Sequence, residues 1–289
     1  LLFILDNKIT LFAHFYRDNY ELNYNSWIFN WKTPLFFSSK EIILDNVILI
    51  NGIFDTNYYH WTFDILPKLL LTIKDEGYKI IMPKTNLRFQ LDFLELIDNK
   101  FNGISKNKIE FINEKKSYRI RNLKLLSPMI QTSKISLNKI NLIRSFMMDS
   151  DISKDSENLK IYMTRRGAKN GRQISNEDSL IEILKIYDYK IVDMGNLNLK
   201  SQLRLVNSAN IIISPHGASL VNLIYTENPE LIVIELFNHT YINDCYRDIC
   251  RKLNIKYFRY IETNKTTNNG SFNIDLESFL KVLRSHHET

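Results

Sequence analysis

Apolar positions along this chain follow two rhythms. In the second half, short runs of β-branched and aromatic residues alternate with segments whose apolar residues recur at three- and four-residue steps. NLKIYMTR, YKIVDM, NIIIS, ELIVIELF and IKYFRYIE read as strands; SNEDSLIEILKIY, LKSQLRLVNSA, ASLVNLIY, YINDCYRDICRKLN and DLESFLKVLRSHH read as helices. Strict alternation at this pitch predicts a parallel sheet with helices on both faces. NIIIS and ELIVIE are nearly continuously apolar, as strands covered on both faces are. Ser175 and Asp178 are spaced like a capping box for the first of these helices.

The first half is mixed. KITLFAHF, EIILDNVILI, YKIIMP, KIEFI and YRIRNLKLLS read as strands, and NLRFQLDFLELID and KISLNKINLIRSFMM as helices. TNYYHWTFDILPKLLLTIKDEG is a further helix, with Phe63, Leu66, Leu70 and Ile73 on one stripe, Thr56 or Asn57 as its cap and Gly77 as its stop. Pro67 lies inside it and predicts a kink. The polar stretch DSDISKDSEN, residues 149–158, has no periodicity and divides the chain into an N-terminal α/β domain, 1–150, and a C-terminal one, 151–289.

Composition changes this picture little. The chain has 289 residues, 44% hydrophobic and 24% charged, which suits two soluble domains with real cores. No apolar run approaches the ~20 residues of a membrane span. Leu1 stands where an initiator Met would, so a targeting or anchor segment before it is compatible with the sequence. Cys245 and Cys250 point to different faces of one predicted helix, so a bridge is not expected, which suits a reducing, cytoplasmic setting. The net charge of +6 fits an anionic small ligand, an anionic lipid surface or nucleic acid and is too dispersed to choose among them, although no basic helix or aromatic stacking platform supports nucleic acid. The last helix, with Lys281, Arg284, His286 and His287, could touch a membrane surface or dock on the first domain. The N-terminal aromatics (Phe12, Phe15, Tyr16, Tyr20, Tyr24, Trp27, Phe29, Trp31) could stack on sugars, but core packing is their commoner use.

Three stretches carry chemistry. ISPHGASLVN ends a strand in His216 and Gly217 and turns into a helix. Ligands of parallel sheets bind outside the carboxyl ends of strands, and a helix start there suits a diphosphate. Gly217 would let the backbone approach it, His216 would donate to a phosphate oxygen, and Ala218 and Ser219 would offer amides, with Asn222 one turn on. Glu235, closing the next strand, would take the hydroxyls of a ribose. TRRGAKNGR, residues 164–172, also follows a strand, and its Arg165, Arg166 and Lys169 would grip phosphate oxygens. In NYYHWTFD, His60 and Asp64 share a helix face, as a general base and its orienting carboxylate would; the reverse assignment, with Asp64 as the base, is nearly as good. Each stretch also has a plainer use: a tight turn, a basic surface loop, a buried histidine tied to an acid. No third ligand stands near His60 and Asp64, and the one DxD triplet, residues 149–151, falls in the polar stretch, so no metal is expected.

NYYHWTFDILPKL, YMTRRGAKNGRQISNEDSL and ISPHGASLVNLIYTENPELIVIEL, in this order, resemble glycosyltransferase family 61. The resemblance implies a GT-B fold, two Rossmann-like domains facing across a cleft, with the donor in the C-terminal one. It implies transfer from a nucleotide sugar, usually a UDP-sugar, with inversion and without a metal or other cofactor, to a glycan or glycoprotein acceptor. Asn57, beside His60 and Asp64, is counted among the substrate-contacting residues. Where the family usually has HGAG followed by Leu-Thr-Asn, this chain has Ser219, Leu220, Val221 and Asn222, which puts the identity of the donor in question. A nucleotide-sugar epimerase or hydrolase, and a non-catalytic nucleotide- or glycan-binding relative, are the alternatives.

Overall fold

The computed structural model describes residues 2–5, 8–11, 41–52, 55–112, 117–126, 134–148, 158–168, 171–263 and 270–285. Most of the polar stretch 149–158, the aromatics from Phe12 to Trp31, Lys169, His286 and His287 lie outside the described residues. The chain forms two compact units, Leu1–Met129 and Ile130–Thr289.

The first unit carries strands β1 (Leu2–Leu5), β2 (Lys8–Leu11), β3 (Glu41–Leu49), β4 (Lys79–Met82), β5 (Ile109–Phe111) and β6 (Ser117–Leu125) in one sheet ordered β2-β1-β6-β3-β4-β5. β1 and β2 pair antiparallel; the other neighbours are parallel. β3 shows why its sequence changes character midway. Its first half alternates between half-buried and exposed positions, whereas Val47 to Ile50 are all buried. The strand passes from a partly open surface to one covered on both faces, and the apolar residues become continuous there.

The second unit has five parallel strands: β7 (Leu159–Met163), β8 (Tyr189–Val192), β9 (Ala209–Pro215), β10 (Ile232–Asn238) and β11 (Lys256–Glu262), ordered β11-β10-β9-β7-β8. β9 and β10 are buried almost throughout, as their unbroken apolar sequences predict. The chain runs from β7 outward to β8, then crosses back to β9. The β7/β9 boundary is therefore a topological switch point, and ligands of such sheets bind outside its carboxyl ends. Helix Leu137–Met148 belongs to this second unit. From it, Arg144 Nη1 donates to the carbonyls of Ile224 at 2.7 Å and Thr226 at 2.9 Å.

Two local expectations are corrected. The helix expected from Ser175 runs over Glu177–Ile186 with Asn176 at its cap, and the side chain of Asn176 makes no cap bond. That side chain exchanges hydrogen bonds with the backbone of Ile274 instead, at 2.8 and 2.9 Å. The segment after His216 is a 3-10 helix, Ala218–Tyr225, so Leu220 N–H bonds back to Gly217 O at 3.1 Å. Among the described residues no helix is long and apolar enough to cross a membrane, and no group of three or more His, Cys, Asp or Glu could hold a metal ion. Cys245 and Cys250 are free and buried, and burial pushes both thiols up.

Candidate active site

In the second unit, two loops meet at the switch point. β7 runs into Thr164 and Arg165; β9 runs into His216 and Gly217. Gly171 and Arg172 both adopt left-handed backbone, φ 69° and 60°, which curls the first loop back on itself. Gly171 O then accepts from Arg165 Nη2 at 3.3 Å, and the guanidinium of Arg172 lies 4.7 Å over the ring of Tyr241. The guanidinium of Arg165 lies against Gly217, where a Cβ would sit 2.1 Å from its Nη1. Gly217 has an extended backbone, φ −175°, that any residue can adopt. The glycine is required here by the Arg165 side chain and not by its own backbone. Burial lowers the Arg165 guanidinium to about 10; the nearby charge of Arg172 acts in the same direction, and Tyr246 and Tyr241 oppose it. Holding two like charges beside a buried turn is costly unless an anion joins them.

His216 is 8% exposed. The rings of Phe237, Tyr241 and Tyr246 stand 5.2–5.5 Å from its own. Its Nδ1 meets Glu235 Oε1 at 2.5 Å, and the other oxygen of Glu235 accepts from the Tyr257 hydroxyl. A small cleft beside it is lined by Arg172, His216, Phe237, Asn238, Tyr241 and Phe272.

Several sequence assignments change. Glu235 does not close its strand: β10 continues to Asn238, and Glu235 is 0% exposed with both oxygens engaged inside the protein. A carboxylate so enclosed cannot also take two ribose hydroxyls. Arg166 points away to the helix after its loop, where Nε meets Glu177 at 2.7 Å and Nη2 meets Asp178 at 2.5 Å. Glu177, buried, also accepts from Tyr162 at 2.6 Å and Thr164 at 2.7 Å, which ties loop to helix. Asn222 is fully buried and donates to Gln202 at 2.9 Å and to Ser219 O at 3.0 Å, so it pins the 3-10 helix to helix Leu199–Asn207. Ala218 and Ser219 stand at the helix start, partly exposed.

In the first unit the chain leaves β3 and enters the segment bearing His60. Asn57 caps it, its side chain accepting from the amides of Tyr59 at 2.9 Å and His60 at 3.4 Å. These bonds engage its side-chain oxygen within the cap. The kink expected at Pro67 takes the form of a π-helical turn, Trp61–Ile65, with Leu66 N–H bonded to Trp61 O. Pro67 has no N–H for the carbonyl of Phe63 and its ring crowds that carbonyl, so widening the preceding turn relieves both faults. Asp64 is 8% exposed and pairs with Lys68 Nζ at 2.9 Å; Lys68, 2% exposed, also donates to Asn51 O at 3.0 Å. His60 is partly buried, and burial lowers its imidazole below the usual histidine value while the charge of Asp64 opposes the shift. Trp61 Nε1 and Thr62 Oγ1, both buried on the π turn, find no hydrogen-bond partner among the described residues.

Sequence reasoning placed Arg172 in the basic loop but gave the phosphate grip to Arg165, Arg166 and Lys169, and it missed Lys68, Tyr241, Tyr257 and Arg259. Lys68 carried one signal, a lysine four residues after an acid on an apolar stripe. The others come from elements distant in sequence and carried none.

The Glycosyltransferase 61 family model matches residues 58–233, more than half the chain and the span that holds both histidines. Three similar proteins are each named EGF domain-specific O-linked N-acetylglucosamine transferase. The one from Drosophila melanogaster is 34% identical over 99 residues, 33% of this chain and 18% of its own. That from Gallus gallus is 26% identical over 162 residues, 44% of this chain and 30% of its own. That from Mus musculus is 29% identical over 127 residues, 37% of this chain and 23% of its own. This chain thus spans less than a third of the length of these relatives. By its family match, the chain belongs to glycosyltransferase family 61.

Proposed function

We propose that this chain transfers a sugar from a nucleotide-sugar donor, a UDP-sugar, to a hydroxyl of a glycan or protein acceptor, with inversion and without a metal. GT-B architecture is part of the same proposal. The observation that carries it is the meeting of Arg165 and Arg172 with the His216–Gly217 turn outside the β7/β9 switch point. Guanidinium forks, an imidazole and the backbone amides at Ala218 and Ser219 together suit a diphosphate. Lys169, from the same loop, would add a further charge. As the bond from the anomeric carbon to the diphosphate breaks, negative charge grows on the β-phosphate. Fixed cations then stabilise the transition state more than the ground state, which is the service a metal would otherwise give.

His60 would take the proton of the acceptor hydroxyl as its oxygen attacks the face opposite the diphosphate. Between the two candidate bases, the geometry favours His60, because the Asp64 carboxylate is already engaged by Lys68 Nζ at 2.9 Å. Asp64 then acts by its charge on the imidazole. The names of the relatives make N-acetylglucosamine the first sugar to try.

The test is calorimetric titration with UDP, GDP and ADP, without metal, against the natural protein and Arg165→Ala. Selective UDP binding, weakened in the variant by about 2 kcal/mol as for a lost charge-assisted contact, is expected. Absence of nucleotide binding would remove the basis of the reading. Turnover of a UDP-sugar without an acceptor would favour an epimerase or hydrolase instead.

A further inference from the structure

His216 is held from behind by residues of two neighbouring strands. Arg259, on β11, donates from Nε to the hydroxyl oxygen of Tyr257 at 3.3 Å. The guanidinium of Arg259 is anchored by Asp244 and lies 5.6 Å over the Phe237 ring and 5.7 Å over that of Tyr257. With an arginine on its oxygen, Tyr257 donates its O–H to Glu235 in a hydrogen bond, and burial together with the Glu235 charge pushes the phenol up, so the proton stays on it. Glu235 is opposite Arg259 on one side and Ser214 on the other, which sets its side chain beside the turn that follows β9. Its remaining oxygen meets His216 Nδ1 at 2.5 Å. As a carboxylate, Glu235 accepts from the phenol on one oxygen and can only accept on the other, which assigns the hydrogen of the second contact to Nδ1.

We infer that Arg259, Tyr257 and Glu235 are positioning residues for His216, fixing a proton on Nδ1 and a second on Nε2 when a diphosphate is bound, so that Nε2–H meets the anion. The inference rests on the donor-site reading of the His216 turn. The groups facing His216 oppose one another. Glu235 on β10 brings negative charge to Nδ1. Arg165 and Arg172, from the loop after β7, bring positive charge to the same turn, and a diphosphate would neutralise it. Tyr241 and Tyr246, from the segments after β10, stand beside the ring, and Cys245 lies near enough to Glu235 to feel its charge. Tyr257 and Arg259 act through Glu235.

The experiment combines nitrogen-15 NMR of the His216 ring with UDP titrations at neutral pH and at about pH 6, near the free histidine value. The proteins are the natural chain, Glu235→Gln, Tyr257→Phe, His216→Gln and the double variant Glu235→Gln/His216→Gln. The natural ring should carry its proton on Nδ1, and Glu235→Gln should scramble it. UDP affinity at neutral pH should fall about tenfold in Glu235→Gln and two- to threefold in Tyr257→Phe, and much of the loss should return at about pH 6. His216→Gln, which retains the phosphate's own titration, provides the baseline, and the double variant should bind no worse than it does. Additive, pH-independent losses, or a natural ring protonated on Nε2 alone, would overturn the inference. If Glu235→Gln does not fold, Tyr257→Phe and Arg259→Gln carry the same test, since both act at a distance from the ring. If the natural chain binds no UDP while the ring signals respond as described, the donor reading falls and the positioning stands.

Discussion

Each unit of this protein sets a histidine near an acid, and the two are built differently. His216 and its acid come from adjacent parallel strands. The sheet register holds Glu235 beside the turn after β9, and the two side chains meet at 2.5 Å. His60 and Asp64 come from one helical segment, interrupted by a π turn, and Asp64 has a second claimant in Lys68 at 2.9 Å. In the first case Tyr257, itself bonded by Arg259, holds the acid's other oxygen. In the second, an ammonium shares the acid, and burial lowers the imidazole below the usual histidine value. The tasks we propose for the two histidines differ accordingly: holding an anionic leaving group, and taking the proton of a hydroxyl.

The largest effect should come from breaking the first-unit arrangement at its buried ion pair. Lys68→Met leaves Asp64 buried without its ammonium and should cost about 3–5 kcal/mol in denaturant unfolding, while Lys68→Met with Asp64→Leu should recover most of it. A recovery that restores stability but not transfer would show that the Asp64 charge serves His60. Next, Gly217→Ala should drive the Arg165 guanidinium from its place, since the new Cβ would lie 2.1 Å from Nη1. UDP affinity should fall by about 1.5–3 kcal/mol with little change in melting temperature, because the clash falls on the end of a flexible side chain.

The pH dependence sharpens the same contrast. A base of lowered pKa stays neutral at neutral pH, so kcat/KM should fall only as pH drops below the ordinary histidine value of about 6.5, and His60→Gln should abolish both rate and limb. Stability carries the matching sign. The unfolded chain protonates His60 first, so the His60 contribution is fully present above about pH 6.5 and is lost as pH falls through the lower folded value. The smallest effect belongs to Arg166→Ala. Arg166 is half exposed and its partner Asp178 88% exposed, and its buried partner Glu177 keeps the hydroxyls of Tyr162 and Thr164. UDP binding should be nearly unchanged and stability should fall by under about 1 kcal/mol, read by calorimetry and thermal melting.

Much of the second unit was legible because its signals are local. NIIIS and ELIVIE are continuously apolar since both faces are covered, and the helix stripes follow the turn of the backbone. The meeting of a basic loop with a His-Gly turn follows from parallel topology once the alternation is read. The helix around Pro67 was legible too, although its π turn was not, because two faults at one proline can be relieved in more than one way.

What the sequence determined by itself is therefore the alternation of elements, the strand ends at the switch point and the residue types gathered there. The tertiary structure alone decided which partner each polar side chain takes. Arg165 rather than Arg166 reaches Gly217, Glu235 turns to His216 and Tyr257, and Asn222 and Asn57 turn inward to helices. The reason is range. Periodicity records contacts within four residues along one element, whereas a charged or amide side chain is satisfied by whatever donor or acceptor lies nearest across elements. That neighbour is set by sheet order and register, which no single stretch of sequence contains.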